Sequence, residues 1–219
     1  MDMTKTVLTV IYSITIILTL VGYLKRRSAM RIMGKTLLMP VLAVIYATFS
    51  EHPNVFILAA LFFGWAGDVI LLGDRDINSI GGIIFFAMGH ISYSLGMILS
   101  VREWLPAGYL SILYMLLTVF IAWKAAVSHC SGRFRPLGII YSVFLSSTGA
   151  ASLYLFFASG FALPYLICLI GSVFFVVSDC ILSREIFLKR TDHGGFAVML
   201  TYIIAQSYLI AGFILRGGI

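Results

Sequence analysis

The chain has 219 residues, of which 61% are hydrophobic and 11% charged, and its mean hydropathy is +1.04. A soluble domain carries roughly 25% charged residues, so these side chains cannot cover a water-facing surface and a soluble globular protein is excluded. The net charge of +6 does not indicate nucleic acid, because the basic residues sit in short loops between apolar runs, the placement that sets membrane topology.

A bilayer core takes about 20 mostly apolar residues per helix. In chain order such runs cover 6–24, 36–50, 54–73, 78–101, 106–127, 136–158, 163–183 and 194–215. They predict an all-α, polytopic membrane helical bundle of about eight transmembrane helices, a single domain over residues 1–219. The first run is followed by its basic cluster, Lys25, Arg26 and Arg27, and has no small-residue cleavage pattern. It reads as a retained helix, not a cleaved signal. The second run is short and is expected to begin near Lys35. Turn chemistry marks the breaks at Glu51-His52-Pro53, Gly73-Asp74-Arg75-Asp76, Ser131-Gly132-Arg133 and His193-Gly194-Gly195. The runs are continuous and do not alternate, which excludes a closed β-barrel. Cys130, Cys168 and Cys180 follow no framework spacing and are expected to act as small buried hydrophobes.

Basic residues then orient the bundle. If the loop after the first helix is cytoplasmic, that side holds Lys25, Arg26, Arg27, Arg31, Lys35, Arg75, Lys124, Arg133, Arg135, Arg184, Lys189 and Arg190. The other side holds Lys5, Arg102 and Arg216. A bias of twelve to three places both termini away from the cytoplasm. The short loops favour a bacterial inner membrane.

Charges within spans cost on the order of 2.5–3.5 kcal/mol on insertion scales, so those present need a reason. Asp68 lies in Phe62-Phe63-Gly64-Trp65-Ala66-Gly67-Asp68-Val69-Ile70-Leu71-Leu72, and Asp179 in Val173-Phe174-Phe175-Val176-Val177-Ser178-Asp179-Cys180-Ile181-Leu182-Ser183. Both segments run from aromatic residues through a small residue to the aspartate, then one residue and Ile-Leu. The match points to a parallel four-plus-four repeat with the two aspartates facing each other across a pseudo-twofold axis. Each lies roughly 8–10 Å below the cytoplasmic side at 1.5 Å per residue. Two carboxyl groups sharing a low-dielectric cleft favour one protonated and one ionised, which supplies a general acid and a general base together. The plain alternative is a pair of structural aspartates capped by Ser178, Arg184 or a backbone amide.

Other candidates line neighbouring spans. His90 and Tyr93 are i, i+3 on the fourth helix, and Tyr202 and Gln206 are i, i+4 on the eighth, so each pair shares a face. Tyr141 lies near the start of the sixth. Each of these side chains would serve equally well as an interhelix hydrogen bond, and Lys35 as a snorkelling cation. Gly82, Gly89 and Gly96 recur every seven residues and read as a close-packing stripe. His52, His90, His129 and His193 are scattered, and no zinc, serine-hydrolase or phosphate-loop motif is present. No metal site is expected.

Six motifs, in order, resemble those of the YhhN-type lysoplasmalogenase family. They are Lys35-Thr-Leu-Leu-Met39-Pro40, Gly67-Asp68 followed by Leu71, Gly89-His90-x-x-Tyr93, Tyr141, Ser178-Asp179 and Tyr202-x-x-x-Gln206. Thr36 stands where the family usually has proline, and Gly89 where it usually has alanine; neither departure removes a chemical group. The resemblance implies hydrolysis of the sn-1 vinyl-ether bond of a lysoplasmalogen to a fatty aldehyde and a glycerophosphoethanolamine or glycerophosphocholine. Asp68 and Asp179 would then be the acid/base pair. Lys35 and Arg184 would hold the phosphate, and His90, Tyr93, Tyr141, Tyr202 and Gln206 would orient water or the glycerol hydroxyl. No cofactor is implied; the partners are a lysophospholipid substrate and membrane lipids, not nucleic acid.

Two other functions fit the same residues. A small proton-coupled transporter or lipid flippase would use midspan carboxylates, but needs a site reachable alternately from both sides. A lipid sensor would bind lipid without forming product.

Overall fold

Hydrocarbon offers no hydrogen-bond partner, so a chain this apolar must satisfy its backbone within each span, and helices do so. The computed structural model describes residues 3–73, 75–99, 108–188 and 191–216. Eight α-helices make up these stretches: α1 (Met3–Leu24), α2 (Ser28–Phe49), α3 (Val55–Ile70), α4 (Asp76–Ile98), α5 (Gly108–Ala125), α6 (Phe134–Ala158), α7 (Leu163–Phe187) and α8 (Gly194–Arg216). A 3-10 turn, Val127–His129, follows α5. Seven of the helical segments are long and apolar enough to cross a membrane, while α3 is a shorter apolar helix of 16 residues. The chain is an integral membrane protein. Arg102, Lys189 and Arg190, counted in the charge bias, and Asp74 of the expected turn lie outside the described residues.

The second helix departs from expectation. It is not short: it begins at Ser28 and runs for 22 residues. A hydropathy reading stops at Arg31 and Lys35, but both are accommodated within the helix. The Arg31 guanidinium lies 5.2 Å from the centre of the Tyr23 ring, and Lys35 is buried against an acidic partner. The short helix is α3, which ends two residues past Asp68 with a turn that runs to Gly73.

Neighbouring helices pack as α1–α2, α2–α3, α3–α4, α4–α6, α6–α7, α7–α8 and α8–α1, with α2 also touching α8 and α5 outside on α6 and α7. The pairings within the first four helices recur within the last four, and the links α4–α6 and α8–α2 exchange with one another. That pattern accords with the four-plus-four arrangement.

Lipid and protein interior are equally apolar, so close packing must come from small residues. A Cβ placed on Gly34 would lie 2.8 Å from the Cα of Thr19, and one on Gly171 2.9 Å from the Ala205 carbonyl oxygen. Gly82, Gly89 and Gly96 all face α3, where a Cβ would meet Leu71, Ala60 and Ile57. Seven-residue spacing on α4 is thus a packing stripe. Between α4 and α6 the contact is made by small polar groups, with Ser94 and Ser147 hydroxyls 2.7 Å apart. Large residues such as Ile14, Leu116 and Phe120 face outward. Cys130 and Cys168 are buried and Cys180 partly so.

One contact secures the helix that carries Lys35. Pro40 lies inside α2 and has no N–H to give the carbonyl four residues earlier, which belongs to Thr36. The Trp65 indole N–H of α3 donates to that oxygen at 3.0 Å. Replacing Trp65 with Phe should therefore cost on the order of 1 kcal/mol, the cost of leaving a part-buried carbonyl without its partner. In a Pro40→Ala background the alanine N–H can fill the role, and the same replacement should cost well under half as much. Thermal unfolding of the four proteins in detergent measures this, and equal costs in the two backgrounds would refute the account.

Candidate functional site

Asp68 sits in the last turn of α3, 2% exposed, and faces Lys35 of α2, 7% exposed. The Lys35 Nζ is 3.3 Å from the Asp68 Oδ1. Removing both charges from water costs several kcal/mol per ion, recovered only when further hydrogen bonds complete the pair. Tyr202 of α8 supplies one, its hydroxyl donating to the Asp68 Oδ2 at 2.8 Å. The neighbouring glycines make room: a Cβ on Gly67 would lie 3.1 Å from the Phe86 ring, and one on Gly64 3.4 Å from the Tyr202 hydroxyl.

Behind Tyr202 the hydrogen bonds run in one direction. The Tyr93 hydroxyl donates to the Gln206 Oε1 at 2.5 Å, and the Gln206 Nε2 donates at 3.5 Å to the Tyr202 oxygen. A phenol has one proton. With an amide N–H directed at its oxygen, Tyr202 gives that proton to Asp68. Tyr93 and Gln206 are buried and do not line the cavity described below.

Asp179 of α7 has a different setting. The Tyr141 hydroxyl of α6 donates to its Oδ2. Among the described residues no basic nitrogen lies within 4.0 Å of it. Its neighbour Ser178 does not cap it; the Ser178 hydroxyl donates to the Val198 carbonyl of α8 at 3.1 Å, which pins α7 to α8.

Both aspartates line one cavity of about 630 Å³. Its walls also include Lys35, Phe86, Met199 and Tyr202, and its rim is drawn from the turns after α1, α3 and α7. Those three turns lie at the same end of the bundle. The rim carries both signs of charge: Arg26 bonded to Asp192, Arg31, and Glu185, which accepts hydrogen bonds from the Thr191 N–H and hydroxyl.

Of the expected site residues, Lys35, Asp68, Asp179 and Tyr202 meet at the cavity, and Tyr141 touches it through Asp179. Arg184 is exposed and outside the cavity lining; Glu185 occupies the corresponding level on the cavity side. His90 is buried behind the site, with its Nδ1 3.0 Å from the Thr148 hydroxyl and its ring against the edge of Phe175. Arg31 was not among the expected residues. The available signal was helical spacing, since it lies one turn before Lys35 on α2 and so shares its face. Glu185 is likewise two turns beyond Ser178. Among the described residues no three His, Cys, Asp or Glu side chains converge as a metal site requires.

This arrangement can hold one carboxylate ionised by a cation and a phenol, and beside it a second carboxyl group bonded to a phenol alone. It sets two carboxyl groups beneath a charged rim at one end of an apolar bundle.

Comparison with protein-family models matches the YhhN family over residues 30–213, from the first turn of α2 to the last turn of α8. No curated protein and no solved structure matches the chain. The family match takes in every residue that forms the cavity site apart from the α1 contributions to its rim, and the chain belongs to the YhhN family.

Proposed function

We propose that this protein hydrolyses the sn-1 vinyl-ether bond of lysoplasmalogens within the membrane. The observation that carries the reading is the meeting of Asp68 and Asp179, from helices far apart in sequence, with Lys35 on one cavity of about 630 Å³. Family membership is consistent with it.

A vinyl ether, R–CH=CH–O–R′, is cleaved by adding a proton to the carbon bearing R. The C=C electron pair forms the new C–H bond and leaves an oxocarbenium ion, R–CH₂–CH=O⁺–R′. Water adds to the cationic carbon and gives up a proton, leaving a hemiacetal. Collapse of the hemiacetal yields the aldehyde R–CH₂–CHO and the alcohol HO–R′, with one water consumed. The protonated aspartate supplies the first proton. The ionised one stabilises the cation and takes a proton from water. In this reading Lys35 and Arg31, which line the cavity, bind the phosphate, and Glu185 and Asp192 of its rim bind a headgroup amine.

Cavity shape favours hydrolysis over transport. Its rim belongs to the turns of one end, and beyond Tyr202 the bundle is filled by Gln206, Tyr93 and Phe213, all buried. The rim bears Arg26 and Arg31, so the mouth is assigned to the cytoplasmic side.

Purified protein should release aldehyde from lysoplasmenylethanolamine. Asp68→Asn and Asp179→Asn should each lower the rate by about 10²-fold or more, the usual contribution of a positioned acid or base. Release by both variants at the wild-type rate would overturn the dyad, and no release from any vinyl-ether lipid would overturn the function.

A second test addresses the ion pair. Lys35→Met leaves Asp68 buried without its cation, and breaking such a pair costs about 3–5 kcal/mol. Lys35→Met combined with Asp68→Asn removes both charges and should restore most of the unfolding temperature while remaining inactive. A double variant no more stable than Lys35→Met alone would contradict this.

A further inference from the structure

A second cavity of about 70 Å³ adjoins the first. It lies between α4 and α7 on the face of α6, with Ala126, Val127 and Cys130 at one end and Phe134 and Gly138 beside them. Most of its exposed wall is apolar, with Ser79, Tyr141, Ser142, Asp179 and Ser183 the residues on it that carry oxygen-bearing side chains, so it suits hydrocarbon better than water, which needs two to four polar partners. The two cavities share part of their walls, including Phe86, Leu182 and Asp179. Asp179 lies at the seam; Asp68 lines the polar cavity and not the apolar one.

A molecule that fills both spaces must join a charged group to hydrocarbon, with the junction at Asp179. We propose that the apolar groove seats the first carbons of the hydrocarbon chain of a single-chain lipid, with the sn-1 linkage beside Asp179 and the phosphate toward Lys35 and Arg31. Liquid water occupies roughly 30 Å³ per molecule, so the groove holds a short proximal segment and longer chains extend past it. The groove's occupancy follows from the two adjoining spaces alone. Its chemical consequence rests on the hydrolase reading: Asp179, nearest the chain carbon, delivers the proton, and Asp68, held ionised by Lys35, activates water. Gly138 is a control point. A Cβ there would lie 3.2 Å from a Val127 methyl, and any larger side chain would enter the groove.

Photo-crosslinking of the full chain in lipid nanodiscs tests the assignment. The probe is a saturated 1-O-alkyl lysophosphatidylethanolamine, which has no vinyl bond to hydrolyse, with a diazirine on the chain close to the ether. Adducts are expected on groove residues such as Val127, Cys130 and Phe134, and should fall several-fold with excess unlabelled ether lipid. They should fall similarly in Gly138→Phe or, if that variant does not fold, in Ala126→Leu. Adducts confined to outward residues such as Ile14 and Leu116, or groove adducts that neither competitor nor filling variant reduces, would overturn the proposal. Since the probe is not a substrate, groove adducts without aldehyde release from vinyl-ether lipids would sink the hydrolase and keep the groove. Aldehyde release with adducts elsewhere would do the reverse.

Discussion

Two opposite charges buried together dictate much of this molecule. Lys35, two turns into α2, and Asp68, in the last turn of α3, lie 3.3 Å apart, each almost sealed from solvent. In such surroundings a lone charge is prohibitive and a pair is tolerated only when its geometry is held and its remaining hydrogen bonds are met. The neighbouring structure meets both conditions. Trp65 clamps α3 to the α2 carbonyl that Pro40 leaves open, and Gly34 lets α1 close on α2 one residue from the lysine. Gly64 and Gly67 admit Tyr202 and Phe86. Tyr202 is in turn aligned by Gln206 and Tyr93.

The four-plus-four pattern of helix contacts gives the two aspartates related settings with different chemistry. Asp68 of α3 is approached from the preceding helix by Lys35, and Asp179 of α7 from its preceding helix by Tyr141. The first is met by a cation and a phenol. A phenol, which donates a hydrogen bond but carries no charge, leaves the second able to bind a proton. In the reaction proposed above, this one departure from symmetry is what separates acid from base. The polar and apolar cavities adjoin at Asp179, which is the basis for proposing an amphiphile as their occupant.

Most of the fold was legible because a bilayer makes helices obligatory and sets their length. The aspartates were legible because a charge in such a run is conspicuous. Where the reading strayed, a pairwise contact decided the outcome. The start of α2 was placed too late because nothing local tells that Arg31 lies over Tyr23 and Lys35 is neutralised by α3. Helical spacing put Tyr202 and Gln206 on one face correctly, but not one behind the other. Arg184 and Glu185 are adjacent in sequence, and only the rotation of α7 against α8, pinned by Ser178, turns the glutamate toward the cavity. The apolar groove had no signature at all, since its lining residues resemble those that face lipid.

The most direct test of the account is the fate of the first proton. Lysoplasmenylethanolamine should be hydrolysed in D₂O and the aldehyde reduced at once to the alcohol, so that exchange next to the carbonyl is stopped. Proton delivery to carbon predicts one deuterium on the carbon adjacent to the former aldehyde in each product molecule. Product formed without that deuterium would contradict acid catalysis at the vinyl ether, and with it the roles given to both aspartates.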